Sequence, residues 1–134
     1  MSEENVELLH QAFDAFNRRD LDAFLALCDP DVEFISYLAR VEGGEAYRGH
    51  DGVQDWWDRL LAVYTDFSVE IEDLVRDLGD RTIVRARAHG HGVESDAPMD
   101  QAMWQVAEYR HGKTIGWRFF TSEAEALEAA GLSE

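Results

Sequence analysis

Met99 to Phe120 reads MDQAMWQVAEYRHGKTIGWRFF, two strand-like runs joined at Arg110-His111-Gly112. A three-residue hairpin loop ends in a left-handed residue, which glycine adopts without steric cost, so Gly112 sets the register. That turn predicts Tyr109 opposite Lys113, Ala107 opposite Ile115, Gln105 opposite Trp117 and Met103 opposite Phe119. Side chains alternate along a strand, so these residues share one face. The face is large and aromatic, and the amide of Gln105 is its only strongly polar group. It has the character of a pocket wall and names no reaction.

Working towards the N-terminus, Phe67 to Leu78 and Arg81 to His91 predict a second hairpin across Gly79-Asp80. A two-residue loop sets Arg87 opposite Glu72, His89 opposite Glu70, Val84 opposite Val75 and Ala88 opposite Ile71. Arg85, Arg87 and His89 then point away from the core, and Asp73 falls on the apolar side. The broken alternation at Asp73-Leu74 marks a bulge that moves this register by one residue. Gly90, Gly92 and Pro98 bound a looser segment before the long hairpin.

Earlier still, Gly49-His50-Asp51-Gly52 opens a helix with an apolar stripe of Val53, Trp56, Leu60 and Tyr64, widened by Trp57 and Leu61. Arg40 to Gly49 reads as a loop. Val6, Leu9, Phe13 and Phe16 recur at helical spacing from Glu3 to Asn17. Asp20 is the expected N-cap of a short second helix burying Leu21, Phe24 and Leu25, stopped by Asp29-Pro30-Asp31. Val32 to Leu38 reads as a strand, with Val32, Phe34 and Ser36 on one face. At the other end of the chain, Ser122 and Glu125 have capping-box spacing ahead of EAEALEAAG, a helix ending at Gly131.

The 134 residues, 46% hydrophobic and 11% aromatic, suit one domain, 1–134, with a substantial core. Net charge is −16, and Lys113 is the only lysine among twelve basic residues. Such a surface repels phosphate backbones, so nucleic acid is not an expected partner. No apolar run reaches a membrane span and the N-terminus lacks a signal-peptide pattern, which predicts a cytoplasmic protein with no membrane partner.

Sparse chemistry-bearing residues narrow the field further. Cys28 lies in the apolar helical pattern LDAFLALC, followed by Asp29 and Asp31, and reads as a buried structural thiol. His50, at a helix entrance, reads as a local hydrogen-bonding element. His89 and His91 share one side of a strand, but with only Glu70 nearby they fall short of a metal site, and cross-strand pairing of His89 with Glu70 is the simpler reading. The glycines form no phosphate-cradling motif. Neither a metal nor another cofactor is expected.

The order is helix, helix, strand, helix, four strands in two hairpins and a last helix. Helices segregated from antiparallel strands give an α+β fold with one sheet face covered. Over nearly its full length the chain resembles the SnoaL-like proteins of the nuclear-transport-factor-two and ketosteroid-isomerase-like superfamily. FNRRDLDAFLALCDPDVEF, YRGHDGVQDWW, RHGKTIGWRFF and EAEALEAAGL carry the likeness through their order and spacing. The resemblance implies a cone-shaped α+β barrel, its curved, mostly antiparallel sheet wrapped around the N-terminal helices and enclosing a pocket, often paired as a homodimer through the outer sheet face.

Members similar to ketosteroid isomerase use a tyrosine, an aspartate base and a protonated aspartate. By order those positions fall near Ala12, Ser36 and Gln105, and none keeps the required residue type. Polyketide cyclases of the family use an acidic pocket residue, and epoxide-hydrolysing members an Asp-Arg-Asp set. Asp73, Asp100 and His10 are the acid/base candidates for such chemistry here.

Three functions follow as expectations. The first is a pocket for a small hydrophobic or aromatic molecule, walled by Phe34, Met103, Trp117 and Phe119, with Trp57 and Tyr64 from the helix and Ser36 and Gln105 as orienting groups. An isomerase, cyclase or hydrolase using Asp73, Asp100 or His10 is the second. The third is a non-catalytic dimeric interaction module. Outward-facing Trp104, Val106 and Phe120, beside Arg118, predict an apolar patch and hence the homodimer.

Overall fold

In a computed structural model, residues 2–35, 46–64, 66–92 and 98–132 are described. Ser36, most of the expected Arg40 to Gly49 loop and the looser segment before the long hairpin lie outside them. The elements are α1 (Ser2–Asn17), α2 (Leu21–Ala26), β1 (Cys28–Ile35), β2 (Tyr47–Arg48), α3 (Gly49–Val63), β3 (Ser68–Asp77), β4 (Arg81–His91), β5 (Pro98–Arg110), β6 (Lys113–Phe120) and α4 (Glu123–Ala129). One six-stranded sheet has the order β2-β1-β6-β5-β4-β3. All neighbours are antiparallel except β1 and β6. It is an α+β fold with a curved, unclosed sheet.

Local signals account for most boundaries. The carboxylate of Asp20 accepts the Ala23 N–H at 3.1 Å, capping α2. Ser122 Oγ accepts the Glu125 N–H at 3.2 Å at the start of α4, and Gly131 follows its end with φ +88°. α1 closes with the Asp20 N–H on the Ala15 carbonyl and the Arg19 N–H on that of Phe16, the paired bonds of a Schellman motif. Arg19 occupies its left-handed position at φ 61°, normally a glycine site. Its guanidinium donates to the carbonyls of Phe16 and Phe67, tying down the strained turn.

α2 ends at Ala26 with Leu27 as C-cap, so Cys28 opens β1 rather than closing the helix as LDAFLALC suggested. The strand starts before Asp29-Pro30-Asp31 and absorbs it as an irregularity in the β1–β6 pairing. Val32 and Phe34 are fully buried, and Glu33 between them is exposed.

Both hairpins correct the expected register. At the β5–β6 turn His111 and Gly112 both have positive φ, 52° and 74°, and Arg110 pairs with Lys113. This is a two-residue turn in place of a three-residue loop. A bulge at the next step leaves Ile115 unopposed, so Glu108 faces Gly116, Ala107 faces Trp117 and Gln105 faces Phe119. Turn and bulge each displace the pairing by one residue, and two displacements restore the original face. Trp117 and Phe119 therefore stay beside Gln105 and Met103 despite new partners.

β3 carries two irregularities where one was expected, between Ile71 and Asp73 and between Leu74 and Arg76. Ile71 now pairs with Ala86, Leu74 with Val84, and Asp73 with Arg85. The bulge at Glu72 turns Asp73 to the exposed outer face, which overturns its placement on the apolar side. Arg87–Glu72 and His89–Glu70 contacts survive as diagonals at 2.8 and 3.0 Å.

The main core lies between the sheet's inner face and α1, α2 and α3, and includes Leu9, Phe16, Phe24, Val53 and Trp56. A smaller core lies on the outer face, where Ala126, Leu127 and Ala130 of the C-terminal segment cover Ile83 and Val106. The expected outer patch is corrected accordingly: Val106 is wholly buried, and Trp104 and Phe120 are partly covered by the same cluster. The sequence pattern showed which way these side chains point, but not that the chain's own last helix returns to cover them.

Candidate functional site

α1 brings Ala12, Phe13 and Phe16 towards the sheet, and α3 brings Trp56 and Leu60 at helical spacing, with Tyr64 following as its C-cap. Between them and the inner face of β4, β5 and β6 the rings do not fill the space. A cavity of about 330 Å³ remains, within the range of small-molecule sites. Ala12 and Ala86 lie on its wall, two small residues that leave room where larger ones would close it.

Its aromatic wall is well braced. Phe34 meets Trp56 edge-on at 4.4 Å between centroids, Phe119 at 5.8 Å and Trp117 at 5.9 Å. Phe24 stacks on Trp117 at 6.2 Å. Such contacts hold ring orientations as well as burying area.

Of the expected ligand-contacting residues, Phe34, Tyr64, Met103, Gln105, Trp117 and Phe119 line the cavity together. Trp57 does not; it is buried behind the wall against Phe16 and Phe24, with ring centroids 5.1 and 5.4 Å away. Its neighbour Trp56 takes the wall position. The stripe Trp56, Leu60, Tyr64 already carried that signal, since residues four apart share a helix face. Ser36 lies outside the described residues.

The three acid/base candidates are not gathered. His10 is exposed on α1, and Asp73 is exposed opposite Arg85. Asp100 is exposed and accepts from Arg87 at 3.0 Å on the outer face. Among the described residues no carboxylate, imidazole, thiol, ammonium or guanidinium lines the cavity.

The charged groups instead form surface pairs. Hydrogen bonds from Arg87 hold the Glu72 carboxyl below its usual range, and Arg87 is itself raised by Glu72 and Asp100. Asp66 is lowered by its 2.8 Å hydrogen bond with His91. His50 Nε2 lies 3.0 Å from the Cys28 carbonyl, a local contact between α3 and β1. Cys28 is buried, and burial pushes its thiol up to about 12, so it is not a nucleophile at neutral pH. No three His, Cys, Asp or Glu side chains converge on a metal-sized position among the described residues. No helix there is long and apolar enough to cross a membrane.

Polar atoms in the wall are few. Gln105 and Trp117 are each 3% exposed, and neither Gln105 Oε1 nor the indole Nε1 of Trp117 has a hydrogen-bond partner among the described residues. The arrangement can enclose and orient an uncharged molecule. Tyr64, a phenol, is the ionisable side chain among the described residues of its wall.

Comparison with known proteins supports the architecture. A family model described as a SnoaL-like domain matches residues 9–117. An NTF2-like protein of unknown function from Burkholderia pseudomallei superposes with TM-score 0.78 at 20% identity, covering 93% of this chain and 95% of its own. A proposed SnoaL-like polyketide cyclase from Jannaschia sp. gives 0.76 at 21%, covering 96% and 91%. A protein with a ketosteroid isomerase-like fold from Catenulispora acidiphila, solved with trimethylamine, gives 0.74 at 20%, covering 94% and 93%. At these identities the likeness is one of fold. No curated protein matches the chain.

Proposed function

The chain belongs to the SnoaL-like domain family, and we propose that it binds a small, uncharged, apolar or aromatic molecule in the cavity between α1, α3 and the inner sheet face. One observation carries this reading: a void of about 330 Å³ persists among aromatic side chains with no described charged group on its wall. Close-packed interiors do not leave such space without cost, because unfilled volume forfeits dispersion contacts. An ionic ligand would lose its hydration there without a counter-charge.

Naphthalene titrated by isothermal calorimetry is the direct test. Saturable one-to-one binding is expected, and Ala12→Leu, which puts a larger side chain into the void, is expected to reduce it at least tenfold. A wild-type protein that takes up no naphthalene sinks the proposal.

A further inference from the structure

The void is not equally closed along its length. Met99, Gln101, Met103 and Gln105 alternate along β5 on the inner face, and all four stand on the cavity wall. Met103 and Gln105 are 4% and 3% exposed, whereas Met99 and Gln101 are only partly buried. Strand length gives the reason. Among the described residues, β6 runs alongside β5 only as far as Trp104, which faces Phe120, so Met99 and Gln101 have β4 as their one sheet neighbour.

The rest of the wall divides in the same way. On α3, Trp56 and Leu60 are buried, but Val63 at its end is 46% exposed and Tyr64 partly so. Ala88 pairs with Gln101 on one side and with Val69 on the other, and Val69 is also a partly exposed wall residue. Phe119, partly exposed as well, stands at the end of β6 where the overhang of β5 begins. Every other wall residue is buried. The residues that meet both the void and solvent therefore belong to one end of it.

We propose that the cavity opens to solvent between the end of α3 and the start of β5, and that its ligand is amphipathic, with a ring buried among Phe34, Trp56 and Trp117 and a flexible, uncharged polar chain leaving past Tyr64 and Gln101. The inference rests on the binding reading above and names the class of molecule the site takes. A polar chain left in water escapes the desolvation penalty of the apolar interior. The polar side chains of the rim, a phenol and a carboxamide, both donate and accept without charge. A net charge of −16 disfavours an anionic chain.

The experiment uses naphthalene, its 2-substituted triethylene glycol ether, and two naphthalenes whose four-carbon chain ends in a carboxylate or an ammonium. Calorimetry at pH 7 compares wild type, Gln101→Lys and Gln54→Lys. Gln54 is exposed on α3, roughly 15 Å along the helix from Tyr64, so it brings the same charge away from the mouth.

Wild type is expected to bind the glycol ether within about threefold of naphthalene, because the chain stays hydrated. In Gln101→Lys the ratio of carboxylate to ammonium affinity should rise about fivefold over wild type, the effect of one exposed charge on two opposite ones, and in Gln54→Lys it should change far less. Binding of naphthalene without the glycol ether means that the void is closed at this end, which overturns the inference and leaves the pocket reading intact. A ratio that Gln101→Lys does not move, or that both lysines move equally, overturns it too. Failure of all four probes to bind removes the pocket reading and this inference with it. Should Gln101→Lys fail to fold, Gln101→Glu tests the same placement with the opposite sign.

Discussion

The hydroxyls of Thr82 and Tyr109 lie 2.9 Å apart on the inner face, with Thr82 1% and Tyr109 6% exposed. Burial is the main cause that pushes the Tyr109 phenol up to about 12 from 10.0, partly countered by its hydrogen bond with Thr82.

Alkaline stability should follow from this. A folded-state value above the unfolded one means that the native protein holds its proton more tightly. The contribution is complete below about pH 10, then falls as pH rises to about 12; a two-unit shift corresponds to roughly 3 kcal/mol. Cys28, raised from 9.0 to about 12, acts in the same direction from a lower onset. Urea unfolding at pH 8 and pH 11 should show a smaller loss of stability for Tyr109→Phe than for wild type. Equal losses count against a buried neutral phenol.

Gln105→Leu should leave stability unchanged or raise it by about 1 kcal/mol, although most core substitutions destabilise. An acceptor buried without a partner among the described residues is a cost, and leucine of similar volume removes it. Chemical denaturation measures the difference. A loss above about 1 kcal/mol would mean that the amide makes a structural bond.

Phe34→Ala should cost roughly 3–5 kcal/mol, because Phe34 is 1% exposed and braces Trp56, Trp117 and Phe119. The ring stands on the cavity wall, so its removal enlarges a void and leaves three other rings without support. A loss under 1 kcal/mol, read from the urea midpoint at constant slope, would show that the wall collapses inward.

His111→Asn should stabilise by a few tenths of a kcal/mol and Gly112→Ala should destabilise by about 1 kcal/mol. Both positions of the β5–β6 turn have positive φ, which asparagine tolerates better than histidine and alanine disfavours. A Cβ on Gly112 meets nothing within 4 Å, so the cost is conformational and not steric crowding. Thermal melts of the two variants check the opposite signs.

Local rules explain what could be read directly from the residues. The Asp20 and Ser122 caps, the Trp56–Leu60–Tyr64 stripe and the burial of Val32 and Phe34 around exposed Glu33 each depend on a few neighbouring residues. So does the grouping of Met103, Gln105, Trp117 and Phe119 on one face, since alternation is a property of the strand. Its pairs differ from the expected ones because Gly112 fits two turn types, and the bulge at Ile115 returns the side chains to the expected face.

Long-range packing settled the rest. Broken alternation at Asp73-Leu74 signals an irregularity in β3, but that there are two, one on each side of this pair, depends on how the strand follows a curved neighbour. Trp57 only widens the stripe that Trp56 belongs to, and its place behind the wall depends on where Phe16 and Phe24 stand. Burial of Val106 depends on the last helix returning across the outer face. The cavity is a difference between the volume enclosed by sheet and helices and the volume of side chains from every element. No single stretch of the chain carries that difference, so the pocket emerges only from the assembled fold.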